Sequence, residues 1–112
     1  MSINSKAKGK RGELGAVHEL NGMGFSVHRT QQFCGKAGNA DIEGIHGCHL
    51  EIKNVERLNI YEAMEQAIRD RRDGEIPTVI HKKNNKPFLV TIRLEDSIEW
   101  ARRWLDGTNE HE

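Results

Sequence analysis

The stretch from Asp41 to Lys53 constrains the fold of this chain more than any other. It reads Asp-Ile-Glu-Gly-Ile-His-Gly-Cys-His-Leu-Glu-Ile-Lys, with two glycines near its middle. Successive side chains of a strand point to opposite faces, so Glu51 and Lys53 share the face opposite to Leu50 and Ile52. The stretch therefore predicts a β-hairpin that carries an acid on its first strand and Glu-x-Lys on its second.

The register of this hairpin decides whether its acids meet. A three-residue loop over 45–47, with Gly47 in the left-handed conformation, places Asp41 opposite Glu51. Two carboxylates and the Lys53 ammonium then share one patch. Adjacent carboxylates repel each other unless a cation lies between them, and a hard divalent ion is the simplest candidate. The alternative is a surface hairpin whose Glu51 and Lys53 merely belong to a charged face.

Length and composition indicate one domain. A chain of 112 residues can bury a single core, and its 36% hydrophobic and 30% charged residues predict a heavily charged surface. It contains no membrane-length apolar run and no signal-peptide segment, so we expect a soluble, cytoplasmic protein of a bacterial, archaeal or phage-infected cell, without membrane association. Cys34 and Cys48 suit a reducing compartment. Zinc is disfavoured because Cys48 and His49 alternate faces on one strand.

Charge is unevenly distributed although the net charge is zero. Lysines and an arginine precede the first acid, and Lys82, Lys83 and Lys86 form a second basic segment. General nucleic-acid binders are usually basic overall, so this pattern favours a local phosphate contact. Solvated basic segments are the alternative.

Hydrophobic periodicity predicts the order helix, three strands, helix, two strands, helix, which is an α/β mixed sheet flanked by helices. We expect a flexible basic terminus over 1–9, a single domain over 10–106 and an acidic tail over 107–112. The predicted helices run from near Lys10 to Gly22, from an Asn59 cap to a closing Gly74, and from about Leu94 to Asp106. The predicted strands outside the hairpin are 25–29, 77–81 and 88–92.

Three predictions concern side chains on or near these elements. Glu13 lies at helical spacing from the apolar stripe of the first helix, so it either has a functional partner or only sits in the first turn, where the helix dipole favours an acid. The last helix is expected to bury Leu94, Ile98, Ala101 and Leu105. Trp100 and Trp104 then lie at the edge of the core or in a dimer surface.

The loop over 31–39 is polar and glycine-bearing. Gln31, Gln32, Lys36 and Asn39 could contact a phosphate backbone, and a plain connector is the alternative.

Four features occur together in this sequence. An acid starts a strand, and Glu-x-Lys lies on the paired strand. The preceding helix carries another acid, and the following helix carries a polar side chain. This constellation resembles the PD-(D/E)XK nuclease superfamily, and within it the small Holliday junction resolvases of archaea and phages. The similarity covers roughly residues 8–90. Its segments are Gly9-Lys10-Arg11-Gly12-Glu13, Ala40-Asp41-Ile42, Leu50-Glu51-Ile52-Lys53-Asn54 and Glu65-Gln66-Ala67.

The resemblance implies a restriction-endonuclease-like fold and a magnesium-dependent DNA endonuclease, with Mn²⁺ able to substitute. It implies that Asp41, Glu51 and the backbone carbonyl of Ile52 hold the metal. Lys53 would position or polarise the attacking water. Glu13, which would touch metal or water, and Gln66, which would steady the site, complete the implied catalytic set.

The expected function is cleavage of branched DNA by a homodimer. A nicking or restriction-like nuclease on duplex DNA and a non-catalytic DNA-binding module are the alternatives. Two features depart from the resolvase pattern: Ala40 replaces the usual proline, and residues 35–39 contain no hydroxyl side chain. The candidate DNA contacts are Lys8, Lys10, Arg11, Arg29, Gln31, Lys36, Lys82 and Lys83.

Overall fold

A computed structural model describes residues 3–30 and 40–108. Three α-helices and five strands follow one another in the predicted order, which is confirmed. They are α1 (Ile3–Gly22), β1 (His28–Arg29), β2 (Ile42–Glu43), β3 (Cys48–Asn54), α2 (Ile60–Asp70), β4 (Ile76–Lys82), β5 (Leu89–Thr91) and α3 (Ser97–Asp106), the last preceded by a 3₁₀ turn at Leu94–Asp96. Within this described part of the chain, none of the helices has the length and apolar content needed to cross a bilayer.

The five strands form one mixed sheet in the order β1-β2-β3-β4-β5. β3 and β4 are parallel, and the other neighbouring pairs are antiparallel. α2 provides the crossover between the two parallel strands, as a parallel connection requires. The long central strands β3 and β4 are therefore the rigid base of the molecule, and the short strands lie outside them.

The hairpin of β2 and β3 has the predicted register. Ile42 pairs with Leu50, so the preceding position, Asp41, falls opposite Glu51. Gly47 has φ +83° in the connecting loop, as predicted, and Gly44 has φ +132°. A side chain at Gly44 would also collide with the backbone oxygen of Ser26, so the loop needs glycine there on two grounds.

The sheet separates two apolar clusters. Leu50 and Ile52 of β3 belong to the larger one, together with Ala16 and Leu20 of α1. The smaller cluster contains Ala63, Met64 and Ala67 of α2 with Val79 of β4, and Ile60 and Ile68 pack against it, so one apolar stripe of α2 faces the sheet. Because strand side chains alternate, the acid and lysine of β3 lie on the α2 side.

The predicted inner face of α3 is wrong. Leu94, Ile98 and Leu105 are 87%, 68% and 61% exposed, and Ala101 is exposed too. Trp100 and Trp104 pack against the α1 cluster instead, which confirms their place at the edge of the core.

Two contacts account for this rotation of α3. The Trp104 ring meets Phe25 edge-on at 4.8 Å between centroids. Arg103 donates to the carbonyls of Gly47 and Gly74 at 2.7 and 2.8 Å. Large aromatic rings and an Arg103 Nη1 that donates to two carbonyls thus outweigh the aliphatic stripe, because they bury more area and pair more polar groups.

Several boundaries also differ from prediction. α1 begins at Ile3, so residues 3–9, expected to be a flexible terminus, continue the helix. The Lys8 carbonyl accepts from Asn54 Nδ2 at 3.0 Å, which attaches this part of α1 to the end of β3. α2 ends at Asp70, and Gly74 lies in the turn after it.

The last helix differs at both ends. α3 proper begins at Ser97 rather than Leu94. At its end, Gly107 and Thr108, assigned to the tail, still donate to carbonyls of the last turn, and 109–112 lie outside the described residues.

Candidate active site

Asp41 is held at the start of the hairpin by backbone contacts on both sides. Its amide donates to the Leu50 carbonyl at 3.0 Å, and its carbonyl accepts from the Thr30 amide at 3.0 Å. Its carboxylate oxygen Oδ2 accepts from the amide of Ile52 at 2.9 Å. The side chain is therefore turned across the sheet toward β3.

Glu51 lies on β3 beside Asp41, with only 2% of its surface exposed. Burial raises the pKa of its carboxyl, the hydrogen bond with His49 lowers that pKa, and the charge of Asp41 raises it again. The sheet register places Asp41 opposite Glu51, and its charge is close enough to affect the pKa of the Glu51 carboxyl. The predicted meeting of these two acids is therefore present in the structure.

Lys53 and Gln66 also come together. Lys53 Nζ donates to Gln66 Oε1 at 2.8 Å, which joins β3 to α2. Lys53 follows Glu51 two positions later on the same face of the strand. Gln66 is half-buried on the flank of the α2 stripe and can fix the direction of the lysine.

Glu13 does not join the pair of acids. Its Oε1 accepts from Arg29 Nε at 2.9 Å. α1 begins ten residues before Glu13, at Ile3, and has no acid in its first turn, so the helix-dipole alternative does not apply. Glu13 stands next to the site through β1, since Arg29 pairs with Ile42 in the sheet.

The donor set fits a hard cation with few protein ligands. Among the described residues, no three His, Cys, Asp or Glu side chains converge as metal ligands. Mg²⁺ typically takes one or two carboxylates and keeps several waters, so two acids suffice. A buried acid beside a second carboxylate, with the neighbouring lysine bonded to Gln66, leaves negative charge that such an ion would offset. Asp41, Glu51 and the Ile52 carbonyl are the residues that would hold it.

The described residues provide no zinc site at the hairpin tip. His46 is exposed and Cys48 is buried. Burial raises the pKa of the Cys48 thiol to about 11, which keeps it protonated and unsuited to metal binding. Cys34 lies outside the described residues.

His49 was not among the predicted site residues. Its Nε2 lies 2.7 Å from Glu51 Oε2, and the side chain is 1% exposed. Its Nδ1 lies 3.7 Å from Glu75 Oε1. The signal was available, because a residue two positions before Glu51 on a strand must share its face.

Some of the basic residues predicted to contact DNA form ion pairs with acids, and others are exposed to solvent. Lys8 Nζ pairs with Glu56 at 2.9 Å, and Arg29 pairs with Glu13. Lys10 and Arg11 are exposed on α1.

Two grooves collect basic side chains. One is lined by Lys6, Lys10, Glu13, Arg29 and Thr30. The other is lined by Arg57, His81, Lys82, Lys83 and Lys86. Gln31, Gln32, Lys36 and Asn39 lie outside the described residues, so their contacts stay predictions.

Comparison with solved structures is informative about the fold. No protein-family model matches the chain, and no curated protein matches it. Among solved structures, Hjc of Archaeoglobus fulgidus, a Holliday junction resolvase from an archaeal hyperthermophile, superimposes with a TM-score of 0.57 at 22% identity. The match covers 76% of this chain and 72% of that chain. This chain thus shares its fold with a small archaeal Holliday junction resolvase.

Proposed function

We propose that this protein is a magnesium-dependent DNA endonuclease that hydrolyses phosphodiester bonds in branched DNA. The observation that carries the proposal is the contact between Asp41 and buried Glu51, with Lys53 next on the same face of β3. The shared fold with a Holliday junction resolvase supports branched DNA as the substrate class.

The bound ion would lower the pKa of a water molecule and offset negative charge on the scissile phosphate. Asp41, just before β2, and Glu51, on β3, would hold that ion, and the sheet register fixes their relative placement. The Lys53 ammonium, oriented by Gln66, donates to the attacking water or to a phosphate oxygen as negative charge develops. Glu51 and Lys53 stand on β3, Gln66 stands on α2, and backbone hydrogen bonds hold Asp41 just before β2, which favours a pre-organised site.

Glu13 would take part in this mechanism only after DNA binds. In the free protein Arg29 neutralises its carboxylate. A DNA phosphate that enters the groove beside Arg29 competes for the guanidinium, because phosphate offers the same bidentate acceptor geometry. Glu13 is then released to bind metal or water next to Asp41.

The basic residues would hold the DNA backbone. Lys10, Arg11 and Arg29 lie on the α1 and β1 side of the acids, whereas Lys82 and Lys83 line the groove at the ends of β3 and β4. Two separate basic grooves suit two arms of a branched substrate better than one straight duplex. Phosphate contacts of this kind supply affinity without sequence preference.

A second copy of the chain would complete the enzyme, because a symmetric junction needs paired cuts from two sites. Leu94, Ile98 and Leu105 on or just before α3 are exposed apolar side chains that such a contact would cover. β5 is the edge of the sheet, so its outer backbone groups are available for pairing. Light scattering of the purified protein at micromolar concentration tests this, and a monomeric mass would remove the dimer from the proposal.

The test of function compares a four-way junction with a linear duplex of the same sequence, each incubated with Mg²⁺ or Mn²⁺. We expect symmetric cuts in the junction, and loss of cutting with retained DNA binding in Glu51→Gln. Glu95→Gln is the matched control, since Glu95 is exposed and lies outside the site. Equal cutting of the duplex would favour a nicking or restriction-like nuclease. Binding without products at any metal concentration would leave a DNA-binding module.

A further inference from the structure

His49 has no part in the mechanism above although it lies in the centre of the polar face of β3. It is 1% exposed, and its ring is flanked by Glu51 on one side and Glu75 on the other. A buried imidazole between two carboxylates is an uncommon use of a core position, because every polar group there must be paired.

The chemistry of the closer contact has a definite direction. An ionised carboxylate can only accept hydrogen bonds, so when Glu51 carries its charge, His49 Nε2 must donate across the 2.7 Å contact. That bond engages Oε2 and fixes the rotation of the carboxylate. A ligand that binds through one oxygen needs only the other, Oε1.

Glu75 lies on the far side of the ring. Its Oε1 is 3.7 Å from His49 Nδ1, which is too long for a hydrogen bond. The same oxygen accepts from the Arg72 amide at 2.9 Å, so the turn before β4 holds Glu75 in place. The hydrogen bond that connects the ring to a carboxylate is therefore the one with Glu51.

The two proposed metal ligands are oriented in parallel ways. Asp41 is turned by the backbone amide of Ile52, which donates to its Oδ2. Glu51 is turned by the imidazole of His49. Lys53, which follows on the same face, donates to Gln66.

We propose that His49 is a positioning residue that holds Glu51 in the orientation required for the divalent ion. The inference rests on the proposed function, because it assigns Glu51 to the metal. Groups that hydrogen-bond to metal ligands typically contribute about 10- to 100-fold in metal affinity or activity. Removing the Nε2 donor should lower metal affinity by that factor.

The experiment measures Mn²⁺ binding to the full chain by calorimetry, without DNA. His49→Leu removes the donor and keeps an apolar side chain in the core, and we expect Mn²⁺ affinity to fall by about 10- to 100-fold. His49→Gln keeps an N–H donor and should recover most of that affinity. His46→Leu, at an exposed position of the same hairpin, is the matched control and should bind as the wild type does. A folded His49→Leu protein with wild-type affinity would overturn the proposal.

A second readout needs no substitution at His49. The imidazole ¹⁵N resonance of Nε2 in the wild type should shift when Mg²⁺ is added, and should not shift in Glu51→Gln. A resonance that ignores Mg²⁺ in a protein that binds the ion contradicts the positioning role.

Glu51→Gln also distinguishes a failure of the proposed metal site from a failure of the proposed role of His49. If it binds Mn²⁺ as tightly as the wild type does, the proposed metal site itself is wrong. If it loses Mn²⁺ while His49→Leu keeps it, only the role of His49 fails.

Discussion

The two faces of β3 use the same strand for opposite purposes. On the α1 side, Leu50 and Ile52 are buried among aliphatic side chains. On the α2 side, Glu51 is buried as deeply but beside another acid, and Lys53 reaches α2 through a hydrogen bond. Burial stabilises the fold on the first face and destabilises charge on the second. Apolar burial on the α1 side therefore offsets the free-energy cost of burying a charged side chain on the α2 side.

The largest expected effect breaks the apolar face. Leu50 is 0% exposed, so Leu50→Ala should lower the free energy of unfolding by about 2–5 kcal/mol through lost burial and a residual cavity. Urea denaturation measures it. The control is Leu94→Ala, the same truncation at a residue that is 87% exposed, where little change is expected. Equal losses in the two variants would mean that Leu50 is not a core residue in solution.

The next effect concerns the loop that joins the two strands of the hairpin. Arg103 donates to the carbonyls of Gly47 and Gly74. Arg103→Met keeps the aliphatic stem but removes both hydrogen bonds, although the Gly47 carbonyl still accepts from the Ile76 amide. At about 0.5–1.5 kcal/mol for each lost bond, we expect a loss of about 1–3 kcal/mol in the free energy of unfolding. Arg102→Met, one residue away and 70% exposed in its side chain, should be nearly neutral. A neutral Arg103→Met would show that α3 does not hold the hairpin.

A smaller effect, with a defined pH dependence, tests the polar face. Burial raises the pKa of Glu51 in the folded protein above its unfolded value. As pH rises above the unfolded pKa, about 4.3, the unfolded chain loses this proton while the folded protein keeps it. The free energy of unfolding therefore falls with rising pH until the folded carboxyl also ionises. Glu51→Gln has no such proton and should be less dependent on pH and more stable at pH 7.

The comparison is made by urea denaturation of both proteins between pH 4.5 and 8, without divalent ions. Glu95→Gln should follow the wild type. Addition of Mg²⁺ should restore stability to the wild type at pH 7 but not to Glu51→Gln. If the stability of the wild type rises with pH relative to that of Glu51→Gln, the hydrogen bond with His49 lowers the Glu51 pKa more than burial raises it.

The hairpin and α3 also show what a sequence can and cannot predict. Register in the hairpin follows from a period of two and a glycine loop, so the contact of Asp41 with Glu51 was predictable. α3 offers two faces of similar apolar content, and the choice depends on Phe25 and on the carbonyls that receive Arg103. Those partners are distant in sequence, so local periodicity selected the wrong face.

The pairing of charges was less predictable still. The sequence placed Glu13 near the site, but its partner Arg29 comes from a different element. Lys8, predicted to contact DNA, pairs with Glu56 from beyond β3. Such contacts depend on tertiary packing, whereas strand alternation alone could have identified His49.

The smallest expected effect on stability concerns Lys53 and Gln66, on the polar face of β3. The bond from Lys53 to Gln66 is short, at 2.8 Å, yet the two groups are only half-buried. A double-mutant cycle of Lys53→Met and Gln66→Met should give a coupling of about 0.5–1.5 kcal/mol in the free energy of unfolding, because folding exchanges this bond for bonds to water. Cleavage of a four-way junction should nevertheless fall by more than about 100-fold in Lys53→Met, a loss equivalent to more than about 2.7 kcal/mol in the barrier. A contact that contributes so little to stability and so much to rate belongs to the site. A coupling as large as the Leu50→Ala loss, with cleavage intact, would assign Lys53 to the fold instead.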